Sequence, residues 1–272
     1  MKFLTKIGYG VLSLFVLANA VSATVSAAAG TKRELRVCAD ANNLPFSNAV
    51  GEGFENKLAE LIATDLGATV TYTFAPQRRG FLRTTLNAGR CDVVMGVPTS
   101  LDMVATTRPY YRSAYVFVYG PEAPHVRSLD APELRRLRIG VPLVGDDGAN
   151  PPPVLALASR DLIDNMHAYS VYGDYRKPSP PAEIVRALRR REIDVALAWG
   201  PLAGYFAHAE EPALSYARIP EKDAPAGSTF AFDISVGVRR GDTALRNELN
   251  DLLARRRVAI DALLARYHVP RF

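Results

Sequence analysis

The sequence predicts an α/β protein made of two similar units, each a mostly parallel sheet with flanking helices. Three observations carry that prediction. Short β-type runs alternate with helix-period segments. Two runs, CDVVMGV (91–97) and IDVALAW (193–199), are almost continuously apolar, as strands covered on both faces are. Each follows a short helical pattern and carries Asp as its second residue, so one unit restarts the theme of the other. The chain has 272 residues, 48% apolar and 22% charged, with a mean hydropathy of −0.01. That composition excludes disorder, collagen and a small disulfide scaffold.

Taken in order, ELRVCA (34–39) reads as a strand ending in the polar loop Asn42-Asn43-Leu44-Pro45-Phe46. Phe54, Leu58, Leu61, Ile62 and Leu66 then recur at helical spacing, with Gly67 as the stop. VTYTF (70–74) alternates as a strand does. Phe81, Leu82 and Leu86 mark a helix ended by Gly89, and residues 91–97 close a β-α-β-α-β unit. Right-handed crossovers make such a unit parallel, with helices on both faces. The second unit reads as a strand at 115–119, a short helix from Ser128 to Leu134, and a strand at 138–141. A helix at 152–161 follows, then a strand at 169–172, a helix capped by Ser179, and the strand at 193–199. A strand at 230–238 and one long helix at 243–267 then return the chain to the first unit, giving crossovers near 115–120 and 230–238.

Residues 1–29 read as a secretory signal peptide: Lys2 and Lys6, an apolar stretch from Ile7 to Val21, then a run of small residues. That stretch is short for a membrane span. No later stretch approaches 20 unbroken apolar residues, so no membrane span is expected after the leader. Export by a bacterium means the periplasm. The whole chain has 33 basic and 28 acidic residues. Two of the basic ones lie in the leader, so the remainder is only mildly basic. No basic run carries interleaved aromatics, and nucleic-acid binding is not expected.

Cys38 and Cys91 are the two cysteines. An oxidising compartment permits a disulfide between them, and two buried thiols are the alternative. The four His residues are far apart, with no metal-binding spacing, and no metal site is expected. No Ser/His/Asp or Cys/His constellation appears, so catalysis is not expected either.

The layout resembles the type II periplasmic solute-binding proteins. LRVCADANNLPF, GRCDVVMGV, TTRPYY, REIDVALAWGPLAGYF and the C-terminal VGVRRGDTALRNELNDLL…ALLARYHV carry the likeness, which spans nearly all of the chain after the leader. It implies two lobes, 31–117 plus 233–272 and 118–232, joined by two hinge crossovers and closing over a cleft. NNLPFSN, GEGFENKLAELIATDLGA, QRRGF, NAGRCDVVMGVP, TTRPYYRSAYVFV and VYGDYR are similar to one branch. These are the MxaJ/XoxJ-type J proteins associated with PQQ-dependent methanol dehydrogenases. LVGDDGAN and AWGPLAGYF look more like the J protein of the lanthanide-dependent system. The resemblance implies a periplasmic, monomeric, non-catalytic accessory protein of a quinoprotein alcohol dehydrogenase. Its partner is that enzyme, alone or with its c-type cytochrome. PQQ and lanthanide belong to the enzyme, and no cofactor is expected to stay bound to this chain. A transporter receptor for a small non-amino-acid ligand is the alternative.

Amino-acid-binding members of this fold hold the ligand carboxylate with an Arg after the third strand and the ammonium with an Asp. Here Met103 aligns with the Arg, and Trp199-Gly200 with the Asp, so both zwitterion anchors are missing. The expected cleft residues sit at strand ends: Asp40, Asn42, Asn43, Thr99, and the Gly145-Asp146-Asp147-Gly148 turn. Arg78 and Arg79 sit at a helix start, where cations oppose the helix dipole and so hint at an anionic ligand or partner. Tyr172, Asp174, Trp199 and Tyr205 complete the set, with Trp199, the only Trp, as an anchor.

Overall fold

In the computed structural model, which describes residues 33–143, 150–171, 175–209 and 212–272, the chain enters the sheet through β1 (Glu34–Ala39). A two-residue hairpin follows, β2 (Asn42–Asn43) and β3 (Ser47–Asn48). It delivers the backbone to α1 (Phe54–Asp65). Gly53 is required at that junction, because a Cβ there would lie 2.0 Å from the Phe46 carbonyl oxygen. The Asn56 side-chain oxygen accepts from the backbone N–H of Gly53 at 3.1 Å and of Asn48 at 3.0 Å, tying hairpin to helix. Phe54, Leu58 and Ile62 are buried along the helix, as their spacing predicts. Gly67, at φ +60, allows the exit turn.

β4 (Thr69–Phe74), α2 (Phe81–Thr84) and β5 (Val93–Pro98) complete the first unit. β1 pairs in parallel with β4 on one side and β5 on the other, the arrangement right-handed crossovers give. Cys38 and Cys91 are disulfide-bonded, with Cα atoms 5.6 Å apart. Cys91 lies just before β5, not on it, and the register partner of Cys38 is Val94. The bond therefore joins β1 to the turn ahead of β5, a pairing strand register alone does not set.

The short β6 (Ala105–Thr106) precedes β7 (Tyr111–Tyr119), which leads into the second unit. There lie β8 (Ile139–Leu143), α3 (Pro152–Ala158), β9 (Met166–Ser170), α4 (Glu183–Arg189), β10 (Val195–Trp199), α5 (Gly200–His208) and β11 (Tyr216–Arg218). β12 (Ala231–Val238) leads back to α6 (Thr243–Arg255) and α7 (Arg257–Arg266). The sheet path is β4-β1-β5-β12-β7-β10-β8-β9, with β6 beside β12 and β11 beside β7. Pairing is parallel within β4-β1-β5 and β10-β8-β9, and antiparallel where β12 and β7 join them. Both apolar runs are covered on two faces. Val195 and Leu197 enter one core while Ala196 and Ala198 enter another. Val93 and Met95 face α1, α6 and α7, while Val94 and Val97 meet Phe81 and Leu86. This is the fold class read from the sequence: α/β, two-lobed, with two strand crossovers.

Several local expectations change. The long helix of 243–267 is broken at Arg256, whose guanidinium pairs with Asp65 near the end of α1. A straight helix of that length spans about 37 Å; the break lets Leu249, Leu252 and Leu253 share one core with Ile260, Leu263 and Leu264. The segment after Ser128 is a 3₁₀ turn at Pro132–Arg136. Ser179 makes no side-chain cap; it takes φ +48, and its N–H donates to Asn42 Oδ1. The α5 helix forms although its first turns carry two glycines and a proline. Gly204 permits it by letting the backbone pack against His268, whose oxygen lies 2.0 Å from where a Cβ would be.

The Cys38–Cys91 bond closes a sequence separation of 53 residues. Replacing both cysteines by Ala is expected to lower stability by about 2–4 kcal/mol, measured as the midpoint shift in urea. A reductant titration of the parent should give the same loss.

Candidate functional site

Two strands build the centre of the molecule. β7 pairs with β12 through Tyr111–Ala114, then with β10 from Tyr115 onward. Tyr115 lies opposite Trp199 in that ladder, and their rings meet edge to face at 5.3 Å. Phe232 of β12 closes on the other side of Trp199 at 5.9 Å. Around this trio opens a cavity of about 270 Å³. Asn43, Phe46, Gly96 and Ile234 line it from the first unit; Ile184 and Leu202 are among those lining it from the second. No charged side chain lines it among the described residues. Asn43 is 2% exposed, and its Oδ1 has no hydrogen-bond partner among the described residues. That oxygen is a buried acceptor in the wall of an otherwise apolar space.

A second cavity, about 290 Å³, lies on the other side of Gly96. Gln77, Arg78, Arg79, Phe81 and Met103 are in its wall, and both Arg side chains are exposed. Gly96 lines both cavities, and the Asn43 amide N–H donates to Gln77 Oε1 at 2.7 Å, linking the two walls. Gly96 has φ +70, and a Cβ there would lie 2.0 Å from Glu55 Oε1. Glu55, in the first turn of α1, is 6% exposed. Burial alone pushes its carboxyl up to about 8, from a usual value of 4.5.

The loop after β1 holds the two units together over these cavities. Asp40 is fully buried; Oδ1 accepts from the Asn42 N–H at 2.9 Å and the Tyr175 hydroxyl at 3.1 Å, and Oδ2 from the Gln77 N–H at 2.9 Å. Asn42 donates from Nδ2 to the Lys177 carbonyl at 2.8 Å and accepts the Ser179 N–H at 3.1 Å. Burial, and then the charge of Asp40, raise the Tyr175 phenol above its usual range. Asp40, Asn42, Tyr175, Lys177 and Ser179 therefore form a latch across the cleft.

Of the residues expected here from the sequence, Asn43 and Trp199 line the first cavity and Arg78 and Arg79 the second. Asp40 and Asn42 belong to the latch. Thr99 is placed elsewhere: β5 pairs with β12 there, and its hydroxyl donates to the Asp233 carbonyl at 3.1 Å and meets the Ser235 hydroxyl at 2.7 Å. Tyr205 also lies off the cavity, stacked on Tyr267 at 5.8 Å, because it faces the C-terminal helix. Asp146, Asp147, Tyr172 and Asp174 lie outside the described residues. Met103 lines the Arg-rimmed cavity, and Gly200 is packed on Ala114 and Ser113. Neither cavity has an acidic lining residue among the described residues. Phe46, Tyr115, Phe232 and Glu55 were missed. The first three are apolar residues in strand or loop patterns that read equally as core, and Glu55 reads as an ordinary helix-start acid.

Residues 35–269 match the family model described as bacterial extracellular solute-binding proteins, family 3. The chain is 30% identical over 263 residues to a protein named MoxJ of Methylorubrum extorquens, covering 93% of this chain and 86% of that one. The crystal structure of the periplasmic binding protein XoxJ from Methylobacterium extorquens AM1 superposes with TM-score 0.70 at 32% identity, covering 88% of this chain and 99% of that one. The crystal structure of MxaJ from Methlophaga aminisulfidivorans MPT gives TM-score 0.75 at 25% identity, covering 88% and 100%.

The raised Glu55 pKa has a definite sign. Folding favours the protonated carboxyl, so its contribution is complete below about pH 4.5 and is lost as pH rises through about 8. Glu55→Gln should flatten stability over that window, gaining on the order of 4 kcal/mol relative to the parent at its upper end, read from urea midpoints at several pH values. Asn42→Ala removes two hydrogen bonds of the latch. It should shift the equilibrium toward an open form by about 1–2 kcal/mol, seen as a larger radius of gyration in solution scattering.

Proposed function

This chain belongs to the family 3 bacterial extracellular solute-binding proteins, and from that premise we propose that it is a periplasmic, non-catalytic accessory protein of a PQQ-dependent methanol or alcohol dehydrogenase, of the lanthanide-dependent kind. It binds the dehydrogenase, or a segment of it, in or near the interlobe cleft and supports its maturation or activation. The MoxJ, XoxJ and MxaJ likenesses, extending over most of the chain, support that assignment. The single structural observation that carries the binding mode is the cleft itself. Among the described residues no charged side chain lines its aromatic cavity, while two exposed Arg residues rim the neighbouring cavity. An amino-acid receptor has no use for that arrangement; a cleft that meets an apolar and acidic group does.

The lobes are residues 31–117 with 233–272, and residues 118–232. The latch of Asp40 and Asn42 with 175–179 sets the closed state, and opening it admits the partner. Asn43, Trp199, Arg78 and Arg79 are the contacts in this reading. PQQ and the metal stay with the enzyme. The alternative is a transporter receptor for a small non-amino-acid ligand, favoured by the cavity's modest size.

The test is association of the mature protein with the dehydrogenase of the same organism, in apo and holo forms, by size exclusion with light scattering. A salt-sensitive complex is expected, weakened at least several-fold by Arg78→Ala with Arg79→Ala. Preference for the apo enzyme would mark a role in maturation. No complex with either form at tens of micromolar would leave the receptor alternative standing.

A further inference from the structure

Gly96 is the only residue that the two cavities have in common among the described residues. On one side lie Trp199, Tyr115, Phe232 and Phe46, around a space of about 270 Å³. That is below the roughly 300–1,000 Å³ of drug-sized sites, so it has room for one ring and not for an extended scaffold. On the other side Arg78 and Arg79 rim a space of about 290 Å³ over an apolar floor that includes Phe81 and Met103. Arg forks suit carboxylates, and a partly apolar surround strengthens such a contact. No acidic side chain lines either space among the described residues, so a cation would meet no counter-charge from them. A Cβ at position 96 would lie 2.0 Å from Glu55 Oε1, so only glycine fits where the two walls meet.

We infer that the two cavities form one bipartite site for an aromatic or apolar ring carrying a carboxylate and no cationic group, with the ring beside Trp199 and the carboxylate at Arg78. This rests on the cleft being the binding site, as in the functional reading above, and specifies the chemistry it recognises. The same chemistry can come from a free aromatic acid or from neighbouring aromatic and acidic side chains of a peptide.

Trp199 is the only Trp, so its emission reports on the cavity directly. The mature protein is titrated with 3-phenylpropionate, its alcohol 3-phenylpropanol, phenylalanine, and acetyl-Phe-Glu-amide, with calorimetry as a second readout. Saturable binding of 3-phenylpropionate or of the capped dipeptide is expected, at least about tenfold tighter than the alcohol and than phenylalanine. Which of the two binds more tightly identifies the source. Arg78→Gln, a change at an exposed position, should remove that tenfold advantage while leaving the unfolding midpoint in place. No saturation by either acid up to about 10 mM, equal affinity for acid and alcohol, phenylalanine binding as tightly as the acid, or an undiminished preference in Arg78→Gln would each overturn the inference. Association with the dehydrogenase is a separate measurement, so loss of this inference and loss of the accessory reading are told apart.

Discussion

The antiparallel pairing of β7 with β12, from Tyr111 opposite Ile234 to Ala114 opposite Ala231, is the constraint on which the rest of the structure depends. β7 satisfies its backbone on β12 for its first residues and on β10 for its last, and it is this exchange of partners that joins the two parallel units. Because backbone groups buried there cannot be left unpaired, the register of three strands is set together. Tyr115, Trp199 and Phe232 meet as a consequence. The aromatic wall of the cleft is thus a product of sheet register, and no single segment encodes it.

The loop after β1 meets the second unit both through Leu44 and Phe46, which pack against its core, and through polar contacts. The loop after β1 reaches the second unit through hydrogen bonds worth about 1 kcal/mol each, whereas the cores on either side bury dozens of apolar side chains. Breaking these contacts therefore costs far less than unfolding either half. The short loop also explains why Asp40 is fully buried: two backbone N–H groups and one phenol replace the water it loses. A carboxylate in that role organises the loop through its own hydrogen bonds.

Glu55 shows how closely the helix start and the cleft are coupled. Gly53 lets α1 begin against the Phe46 carbonyl, and that placement puts the Glu55 carboxyl over Gly96. The same glycine at 96 lines both cavities. A buried neutral acid under a shared floor costs less than a buried charge.

Much of this was legible along the chain. The helical spacing of Phe54, Leu58 and Ile62, the two doubly covered runs and the glycine stop at 67 are local patterns, and local sterics and burial read them directly; the helix from Phe81 ends at Thr84, well before Gly89. Asn43 and Trp199 stand at strand ends and Arg78 and Arg79 at a helix start, and each of them lines a cavity. Other features needed the tertiary structure. Arg256 breaks a helix whose local pattern is continuous, because a core shared with α1 bends it. Thr99 is spent on β12, and Tyr205 on Tyr267, partners more than 60 residues away in sequence. Sequence alone determined most of the strands and helices and which of their faces are apolar, since those depend on neighbours within a turn or two. Tertiary structure decided which apolar residues line an empty space and which fill a core. The two are chemically alike, and only long-range register separates them.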